Sequence, residues 1–410
     1  MKIKINPKTL CGKIEAPASK SVAHRMLICA ALAKGKSTVK LNKTSDDIEA
    51  TASCLRALGV IIEKNSSEWT VTPPSEFPEK ADLDCGESGS TLRFMLPVVA
   101  ALGVDATFTA HGRLPSRPIA PLLDEMKNHG VVCNDTFPLH ISGKLTGGSY
   151  RIAGNISSQF ITGLLLALPL CEEESEIEII PPVESKPYID ITTKILSAFG
   201  ADISESENKY NIRHSDLQSG ALIVEGDWSN AAFLLALGAE VSGLDRNSAQ
   251  GDRKFLDVLR AFGCELIETN GAVRVSLDNL HGTEVDASDI PDLVPVICAV
   301  AATAEGCTKI CNASRLRLKE SDRIKSTVEM INSLGGEAYE TTDGITIIGK
   351  ESLSGGSVDS FNDHRIVMSA AVASQKCKDC VIIKDAQAVN KSYPEFFKDF
   401  NSLGGDANVM

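Results

Sequence analysis

The chain has 410 residues, of which 43% are hydrophobic and 5% aromatic, and its formal net charge is −13 at pH 7. This length is enough for two or three domains with large cores. The negative charge and the scarcity of aromatic side chains argue against a nucleic-acid-binding groove. A site for an acidic ligand must therefore come from locally placed Lys and Arg residues.

Cysteine usage and hydropathy indicate the cell compartment. The twelve cysteines are scattered through apolar segments, which is typical of reduced thiols packed as small hydrophobes. The single Cys-X-X-Cys pair, Cys377 and Cys380, lacks a second pair or a nearby His, so no metal site is expected. There is no signal-peptide pattern, and the longest apolar runs, 161–170 and 293–304, are too short to span a membrane.

The chain opens with a short β-like segment and continues into an apolar helix predicted between Ser21 and Gly35. Ser19 or Ser21 is a suitable N-cap for this helix, and Gly35 is a suitable stop. Free backbone N–H groups in its first turn, together with Lys20 and Arg25, favour binding of an anion. A plain capped helix with solvated charges is the alternative at this point.

A weak repeat runs along the whole chain. Six helix-like stretches end in a Leu-Gly or Phe-Gly pair, or a close variant, and a β-like stretch follows each of them. The glycines lie about 65 to 70 residues apart, which indicates an internal repeat. They are Gly59, Gly130, Gly200, Gly263, Gly335 and Gly404.

Each repeat also contains a second, more apolar helix, which we predict to be buried. A repeat then consists of strand, buried helix, strand, strand, outer helix and strand, or βαββαβ. Six such units are too large for one core, so we predict an α+β fold with two globular domains of three units each. A solenoid scaffold is the alternative, but common solenoid repeats are shorter, at about 20 to 50 residues. The buried helices are predicted to begin near Ser21, Ser90, Ser158, Trp228, Asp292 and His364.

Polar residues gather where the buried helices begin. In the first three units these starts carry Ser and basic residues, and in the last three they carry Asp. If rotation relates the units of one domain, its helix starts point the same way. Two such domains facing each other would enclose a cleft with positive helix ends around it, which predicts a polyanionic small ligand between the domains.

Three polar segments could add to this site. Arg113 and Arg117 lie on a loop stiffened by Pro, and Ser185 opens a rigid turn. The alternation in 315–319 predicts a strand with its basic residues on one face, and Glu320 follows at the start of a helix. Each segment taken alone is also typical of a solvated surface.

Four motifs, read in order, identify a family. They are Ser157-Ser158-Gln159-Phe160, Ser185-Lys186-Pro187-Tyr188-Ile189-Asp190, Lys319-Glu320-Ser321-Asp322-Arg323 and Asn362-Asp363-His364-Arg365. With them the chain resembles the 5-enolpyruvylshikimate-3-phosphate synthase family over nearly its whole length. The resemblance implies two domains of three βαββαβ units, with the active site in the cleft between them. It places the N-terminal strand with the C-terminal half, so we expect one domain from 1–18 with 227–410 and another from 19–226.

The reaction implied by this resemblance transfers the enolpyruvyl group of phosphoenolpyruvate to the 5-hydroxyl of 3-phosphoshikimate and releases phosphate. Such an addition and elimination needs positioned acid and base groups and strong anion ligands. Lys20, Asp292 and Glu320 resemble the catalytic residues, with Asp292 as the base on the 5-hydroxyl and Glu320 as the proton donor to the methylene carbon. The residues that resemble 3-phosphoshikimate ligands are Lys20, Ser21, Arg25, Ser157, Ser158, Ser185, Asp292 and Lys319. Those that resemble phosphoenolpyruvate ligands are Lys20, Gly89, Arg117, Gln159, Arg323, Arg365 and Lys391.

Two positions depart from the family pattern. Glu87 stands where the family more usually has Asn, and we predict that it turns away from the ligand or pairs with a nearby Arg, because a carboxylate would repel a phosphate. Arg315 stands where some members carry Asn, so we do not count it among the ligands.

Two alternatives stay open. The sister transferase that acts on UDP-N-acetylglucosamine carries a Cys in the loop that corresponds to 111–117, where this chain has none. A non-catalytic anion-binding repeat protein is the alternative of a different class. The preferred interpretation implies small-molecule substrates, no nucleic acid, no membrane, no metal and no other cofactor, and we expect a cytoplasmic monomer.

Overall fold

Twelve α-helices and twenty-four short strands alternate along residues 1–269 and 271–410, the part of the chain that the computed structural model describes. No helix in this part is both long and apolar enough to cross a membrane. The helices are α1 (Lys20–Leu32), α2 (Asp46–Ala57), α3 (Gly89–Leu102), α4 (Ala120–Asn128), α5 (Ser158–Ala167), α6 (Lys186–Ala198), α7 (Trp228–Ala236), α8 (Phe255–Ala261), α9 (Val294–Ala301), α10 (Arg323–Ser333), α11 (His364–Ser374) and α12 (Phe396–Ser402).

The strands are three to six residues long. They are β1 (Ile3–Ile5), β2 (Lys13–Glu15), β3 (Ser37–Lys40), β4 (Ile61–Lys64), β5 (Glu68–Thr72), β6 (Lys80–Asp84), β7 (Asp105–Thr109), β8 (Val131–Cys133), β9 (Leu139–Gly143), β10 (Ser149–Ala153), β11 (Ser175–Ile180), β12 (Ile203–Ser206), β13 (Lys209–Ile212), β14 (Ala221–Ile223), β15 (Glu240–Ser242), β16 (Glu265–Thr269), β17 (Ala272–Ser276), β18 (Glu284–Asp286), β19 (Cys307–Cys311), β20 (Ala338–Glu340), β21 (Ile345–Ile348), β22 (Gly356–Asp359), β23 (Val381–Lys384) and β24 (Ala407–Val409).

The described residues form two compact units. The central unit is Ala18–Val224, and the terminal unit combines Met1–Pro17 with Glu225–Met410. The predicted boundaries, 18/19 and 226/227, lie one and two residues further along the chain than these crossings.

Every sheet repeats one arrangement of four strands. In the second repeat β6 lies parallel to β7, β7 is antiparallel to β9, and β8 and β9 form a hairpin. A buried helix connects β6 to β7, and an outer helix connects β7 to β8. Across the described residues the six strand orders are β14-β3-β5-β4, β6-β7-β9-β8, β10-β11-β13-β12, β2-β15-β17-β16, β18-β19-β21-β20 and β22-β23-β1-β24.

Three strands pair far from their sequence neighbours. β2 precedes α1 but pairs in parallel with β15, whereas β14 precedes α7 but pairs in parallel with β3. β1 lies between β23 and β24, so the N-terminal strand completes the sheet of the last repeat. Both the first and the last strands of the chain therefore belong to the terminal unit.

The two kinds of helix differ in burial. In α3, 12 of 14 residues are buried, whereas α2 buries 6 of 12 residues along one face. Each fully buried Leu, Ile or Phe side chain contributes about 1.5 to 3 kcal/mol to folding. In the central unit α5 packs against α1 and α3, and in the terminal unit α7, α9 and α11 pack against one another. These buried helices form the centre of each unit's core.

The repeated glycine ends each outer helix as predicted. All six have positive φ values, between 83° and 96°, which glycine adopts without the steric cost that other residues bear. Five of the six buried helices begin within one residue of the predicted position; α9 begins at Val294, after a 3₁₀ helix at Pro291–Leu293 that contains Asp292. The α+β class with six repeated units in two groups of three is confirmed.

Two sequence-based details differ from the structure. The predicted order places the outer helix between the last two strands of a unit, whereas in the structure it precedes both of them. The strand that follows the Gly stop continues through a hairpin into the last strand. The strand predicted at 315–319 is wrong. Residues Ser314–Leu318 form a 3₁₀ helix that buries Leu316 and leaves Leu318 46% exposed, because the chain turns directly after β19.

Candidate active site

The start of α1 brings a cation and a carboxylate together. Ser19 caps the helix by accepting a hydrogen bond from the backbone of Val22. Lys20, the first helical residue, forms an ion pair with Asp47 on α2 at 2.9 Å. Their side chains are 16% and 12% exposed, so the Lys20 ammonium is mostly shielded but still reached by solvent.

Arg25 is a buried cation without a carboxylate partner in the described part of the chain. Its guanidinium donates to the hydroxyls of Thr192 at 2.7 Å and Thr162 at 3.2 Å, and to the backbone carbonyls of Ser21 at 2.6 Å and Tyr188 at 3.1 Å. Burial lowers the pKa of Arg25 to about 9, so the group is still charged at neutral pH. A positive charge held only by neutral acceptors attracts an anion.

Gly89 at the start of α3 makes room for two guanidinium groups. A Cβ atom added at this glycine would lie 2.6 Å from Nη1 of Arg93 and 2.8 Å from Nη1 of Arg117. Arg93 in turn donates to Oε1 of Gln159 at 3.1 Å, and the amide nitrogen of Gln159 donates to the hydroxyl of Ser90 at 2.9 Å. The starts of α3 and α5 therefore carry one connected set of donors.

Serines occupy the starts of α5 and α6. Ser157 caps α5, and Ser158 is its buried first residue. Ser185 precedes α6 in the left-handed conformation with φ 56°, and it does not cap the helix with its side chain. A non-glycine residue held in that conformation costs about 1 to 3 kcal/mol, a strain that clusters at functional sites. We call these residues, together with the basic groups around them, the Ser/Arg cluster. Its members are Lys20, Ser21, Arg25, Gly89, Arg93, Arg117, Ser157, Ser158, Gln159 and Ser185.

A buried chain of hydrogen bonds, which sequence reasoning missed, ties α1, α2 and α3 together beneath this cluster. Nδ1 of His24 lies 2.7 Å from the hydroxyl of Thr51, which lies 2.7 Å from that of Thr91. Thr91 donates to Ser88, the N-cap of α3, at 2.8 Å. Burial, with Lys20 and Arg25 nearby, lowers the pKa of His24 well below its usual range, so the imidazole is neutral.

In the terminal unit Arg323 binds three carboxylates. Its Nε donates to Oδ2 of Asp363 at 2.8 Å, Nη1 to Oδ1 of Asp292 at 2.7 Å and Nη2 to Oε2 of Glu320 at 2.5 Å. Asp363 also caps α11, accepting from the backbone of Arg365 at 2.9 Å. Burial lowers the pKa of Arg323, but the three carboxylates together outweigh it and raise the pKa, so the group is charged throughout the physiological range.

Asp292 lies among three cations. Besides Arg323, Nη2 of Arg365 donates to its Oδ2 at 2.9 Å, and Nζ of Lys319 lies 3.5 Å from its Oδ1. Burial lowers the pKa of Lys319 to about 8. Nζ of Lys391 donates to the carbonyl of Asn362, just before α11, at 2.6 Å. We call this set the Asp/Arg cluster, with members Asp292, Lys319, Glu320, Arg323, Asp363, Arg365 and Lys391.

The structure thus gathers the sequence-predicted residues into one cluster per unit. Cations outnumber carboxylates in both, although the chain as a whole carries a net charge of −13. Arg93 and Asp363 belong to these clusters but were not among the predicted residues. The pairing of Arg93 with Gly89 at one end of α3 and the N-cap position of Asp363 are the sequence signals that could have found them.

Glu87 and Arg315, the two residues that depart from the family pattern, each contact a neighbouring segment of the backbone. The Glu87 carboxylate packs against the backbone of Gly112, where an added Cβ would lie 2.5 Å from its Oε2. Arg315 donates to the carbonyl of Ser288 at 2.8 Å. Within the described residues, no group of His, Cys, Asp and Glu side chains is arranged to hold a metal ion.

Comparisons with known proteins agree over the whole chain. A sequence model of the family described as EPSP synthase (3-phosphoshikimate 1-carboxyvinyltransferase) matches residues 5–400. A 3-phosphoshikimate 1-carboxyvinyltransferase from Clostridium kluyveri is 43% identical, covering 98% of this chain and 97% of that protein. One from Clostridium novyi is 40% identical with the same coverage. The solved structure of an EPSP synthase from Acinetobacter baumannii is 27% identical and superposes with a TM-score of 0.81, covering 100% of both chains.

Proposed function

The chain belongs to the EPSP synthase family, and on this premise we propose that its Ser/Arg and Asp/Arg clusters are the substrate-binding and catalytic groups of the family's reaction. The reaction is the transfer of the enolpyruvyl group of phosphoenolpyruvate to the 5-hydroxyl of 3-phosphoshikimate, with release of phosphate. It belongs to the shikimate pathway of aromatic amino acid biosynthesis.

The Ser/Arg cluster provides anion binding at helix starts. For 3-phosphoshikimate we assign Ser21, Arg25 and the serines at positions 157, 158 and 185, because hydroxyls and a buried cation suit a phosphate and ring hydroxyls. For phosphoenolpyruvate we assign Gly89, Arg117 and Gln159, where two guanidinium groups crowd the start of α3. Lys20 is assigned to both substrates. That both clusters act on one pair of substrates stays a prediction.

The Asp/Arg cluster provides further anion ligands and the proton transfers. Arg323, Arg365 and Lys391 are assigned to phosphoenolpyruvate, and Lys319 to 3-phosphoshikimate. In the addition, the 5-hydroxyl oxygen attacks C2 of phosphoenolpyruvate, its proton passes to Asp292, and C3 receives a proton from Glu320. In the elimination, the C2–O bond to phosphate breaks, the leaving phosphate takes the proton from Asp292, and Glu320 takes the proton back from C3. Protons and electron pairs therefore balance over the two steps.

The observation that carries this proposal is the position of Asp292 among Arg323, Arg365 and Lys319. A carboxylate weakens a site that only binds anions, because it repels them, whereas a transferase needs a base there. The cations orient the carboxylate by both oxygens, so that it can be held against an acceptor hydroxyl.

The test is phosphate release from phosphoenolpyruvate with 3-phosphoshikimate as acceptor, repeated with UDP-N-acetylglucosamine. We expect release with the first acceptor only. Asp292→Asn should lose turnover by about 10²-fold to 10⁴-fold while keeping both substrates bound. The matched control is Asp289→Asn, three residues before Asp292. It removes a partly exposed ion pair with Lys254 and should leave turnover unchanged. Release with neither acceptor would overturn the proposal.

We further propose that the protein acts as a cytoplasmic monomer. All twelve cysteines are free, which suits a reducing compartment. Sedimentation equilibrium at micromolar concentration should give the mass of one chain, and a mass of two or more chains would contradict this proposal.

A further inference from the structure

Asp252 is a buried carboxyl group outside the assigned site. It lies in the 3₁₀ helix Gly251–Lys254 and is 5% exposed. The hydroxyl of Ser229, on the first turn of α7, donates a hydrogen bond to it. Its Oδ1 atom has no hydrogen-bond partner among residues 1–269 and 271–410. A buried carboxylate with one oxygen unsatisfied is costly, whereas a neutral carboxylic acid is much less so.

Ser229 connects this carboxyl group to the Asp/Arg cluster. Its oxygen accepts a hydrogen bond from Nη1 of Arg365 at 2.7 Å. The same Nη1 donates to the backbone carbonyl of Asp292 at 2.9 Å, and Nη2 donates to the Asp292 carboxylate at 2.9 Å. A single hydroxyl therefore separates Asp252 from the guanidinium that we assign to phosphoenolpyruvate.

The charged groups around Asp252 come from three neighbouring elements and its own segment. Asp292 lies before α9, Arg365 is in the first turn of α11, and Asp227 caps α7, while Arg253 and its neighbour Lys254 are exposed. Burial above all, with the negative charges of Asp292 and Asp227, raises the pKa of Asp252 to about 7, against the opposing effect of Arg365 and the Ser229 hydroxyl. The carboxyl group therefore changes its charge near neutral pH.

We propose that Asp252 is a positioning residue that, in its neutral form, leaves the charge of Arg365 available to Asp292 and phosphoenolpyruvate, and that its ionisation weakens the hold of Arg365 on this substrate. The inference rests on the proposed assignment of Arg365. An ionised Asp252 adds a second negative charge beside the guanidinium, in a region that water screens poorly.

The first measurement is the KM for phosphoenolpyruvate between pH 6 and pH 8 for the wild type and Asp252→Asn, a neutral isostere. We expect equal values at pH 6 and a wild-type value about fivefold to tenfold higher at pH 8. The phosphate group of the substrate also titrates near pH 6, but it does so for both proteins and cancels in their ratio. The control is Asp257→Asn on α8, a 72% exposed side chain, which should follow the wild type.

The second measurement is thermal unfolding of the same proteins, which does not depend on activity. A native pKa of about 7 against about 3.9 in the unfolded chain means that the native state alone keeps the proton between these values. The Tm of the wild type should therefore fall relative to that of Asp252→Asn as pH rises from 4 to 7, and the difference should not grow further above pH 7.

Each outcome decides the question. A Tm difference that grows with pH, together with a KM ratio that grows with pH, supports the inference. If the Tm difference grows with pH but the KM ratio stays constant, the inference is overturned. A Tm difference that does not change with pH overturns it as well. Both results leave the proposed function intact. Failure of the wild type to release phosphate from phosphoenolpyruvate would instead count against the proposed function itself.

Discussion

Arg323 and Asp363 form an ion pair that is almost wholly removed from solvent. Nε of Arg323 lies 2.8 Å from Oδ2 of Asp363, and the two side chains are 1% and 0% exposed. The other nitrogens of Arg323 reach Asp292 and Glu320, whose side chains are about one-fifth exposed. Asp363 is therefore the inner anchor that sets the direction in which Arg323 presents its charge to the outer carboxylates.

Replacing Asp363 by Asn should test this anchoring role. The variant keeps an N-cap for α11 but leaves Arg323 without its innermost charge, so we expect a loss of about 3 kcal/mol in the free energy of unfolding and a higher KM for phosphoenolpyruvate. Urea unfolding and steady-state kinetics measure the two effects. Asp322→Asn is the matched control, because Asp322 caps α10 and pairs with Arg317 at a site about one-third exposed. A loss of similar size in both variants would contradict the anchoring role.

Lys20 should be required for turnover but not for folding. Its ion pair with Asp47 is mostly shielded from solvent, so its removal should lower stability without unfolding the protein, whereas a cation at the start of α1 is assigned to both substrates. We expect Lys20→Ala to lower kcat/KM by about 10³-fold or more, with nearly unchanged circular dichroism and a modestly lower Tm. Lys36→Ala, an exposed cation just after α1, serves as the control. Near-normal turnover of Lys20→Ala would refute the assignment.

Lys319 should make 3-phosphoshikimate binding depend on pH. Because burial lowers its pKa to about 8, the cation is lost above this pH, and the KM for 3-phosphoshikimate should rise there. The lowered pKa also means that the unfolded chain binds a proton more readily between pH 8 and about 10.4, so this group's contribution to stability increases with pH over that interval. Lys319→Arg keeps its charge and should flatten the KM profile. An unchanged profile in this variant would show that another group titrates.

A methyl group added at Gly89 should weaken phosphoenolpyruvate binding without impairing folding. A Cβ there would lie within 2.8 Å of both Arg93 and Arg117. We expect Gly89→Ala to raise the KM for phosphoenolpyruvate about tenfold or more, because both guanidinium groups must move, while alanine in the helix favours folding by up to about 1 kcal/mol. Gly220→Ala is the control, since its added Cβ would meet only a Leu222 side-chain carbon at 3.9 Å. An unchanged KM in Gly89→Ala would contradict this account.

Local signals predicted much of the fold. The apolar runs, the Ser and Asp caps and the six glycines predicted the buried helices and the ends of the outer helices, because these features depend on residues a few positions apart. The strand exchange of β2 and β14 and the place of β1 depend on pairing across more than 180 residues, which no local pattern encodes. The 3₁₀ helix at Ser314–Leu318 differs from the predicted strand for another reason: alternating apolar and basic residues indicate a strand, but here the chain turns directly after β19.

The site was predicted in part. The predicted site residues in the motifs lie in the two clusters, and they could be picked out because charged and hydroxyl groups at helix starts have a direct reason to bind anions. Asp252 could not be found, because Gly251-Asp252-Arg253-Lys254 reads as an exposed polar turn. Only the packing of this segment against α7 buries the carboxyl group and brings it to Ser229.

The place of β1 between β23 and β24 sets an order of events during synthesis on the ribosome. All strands of the central unit lie between residues 37 and 223, so this unit can pair every strand while the rest of the chain is still being made. β1 is made before the central unit but gains its neighbours only when residues 381–409 emerge, and until then its edges stay open to wrong partners. A strand that is made before the whole central unit is therefore among the last to reach its native pairing.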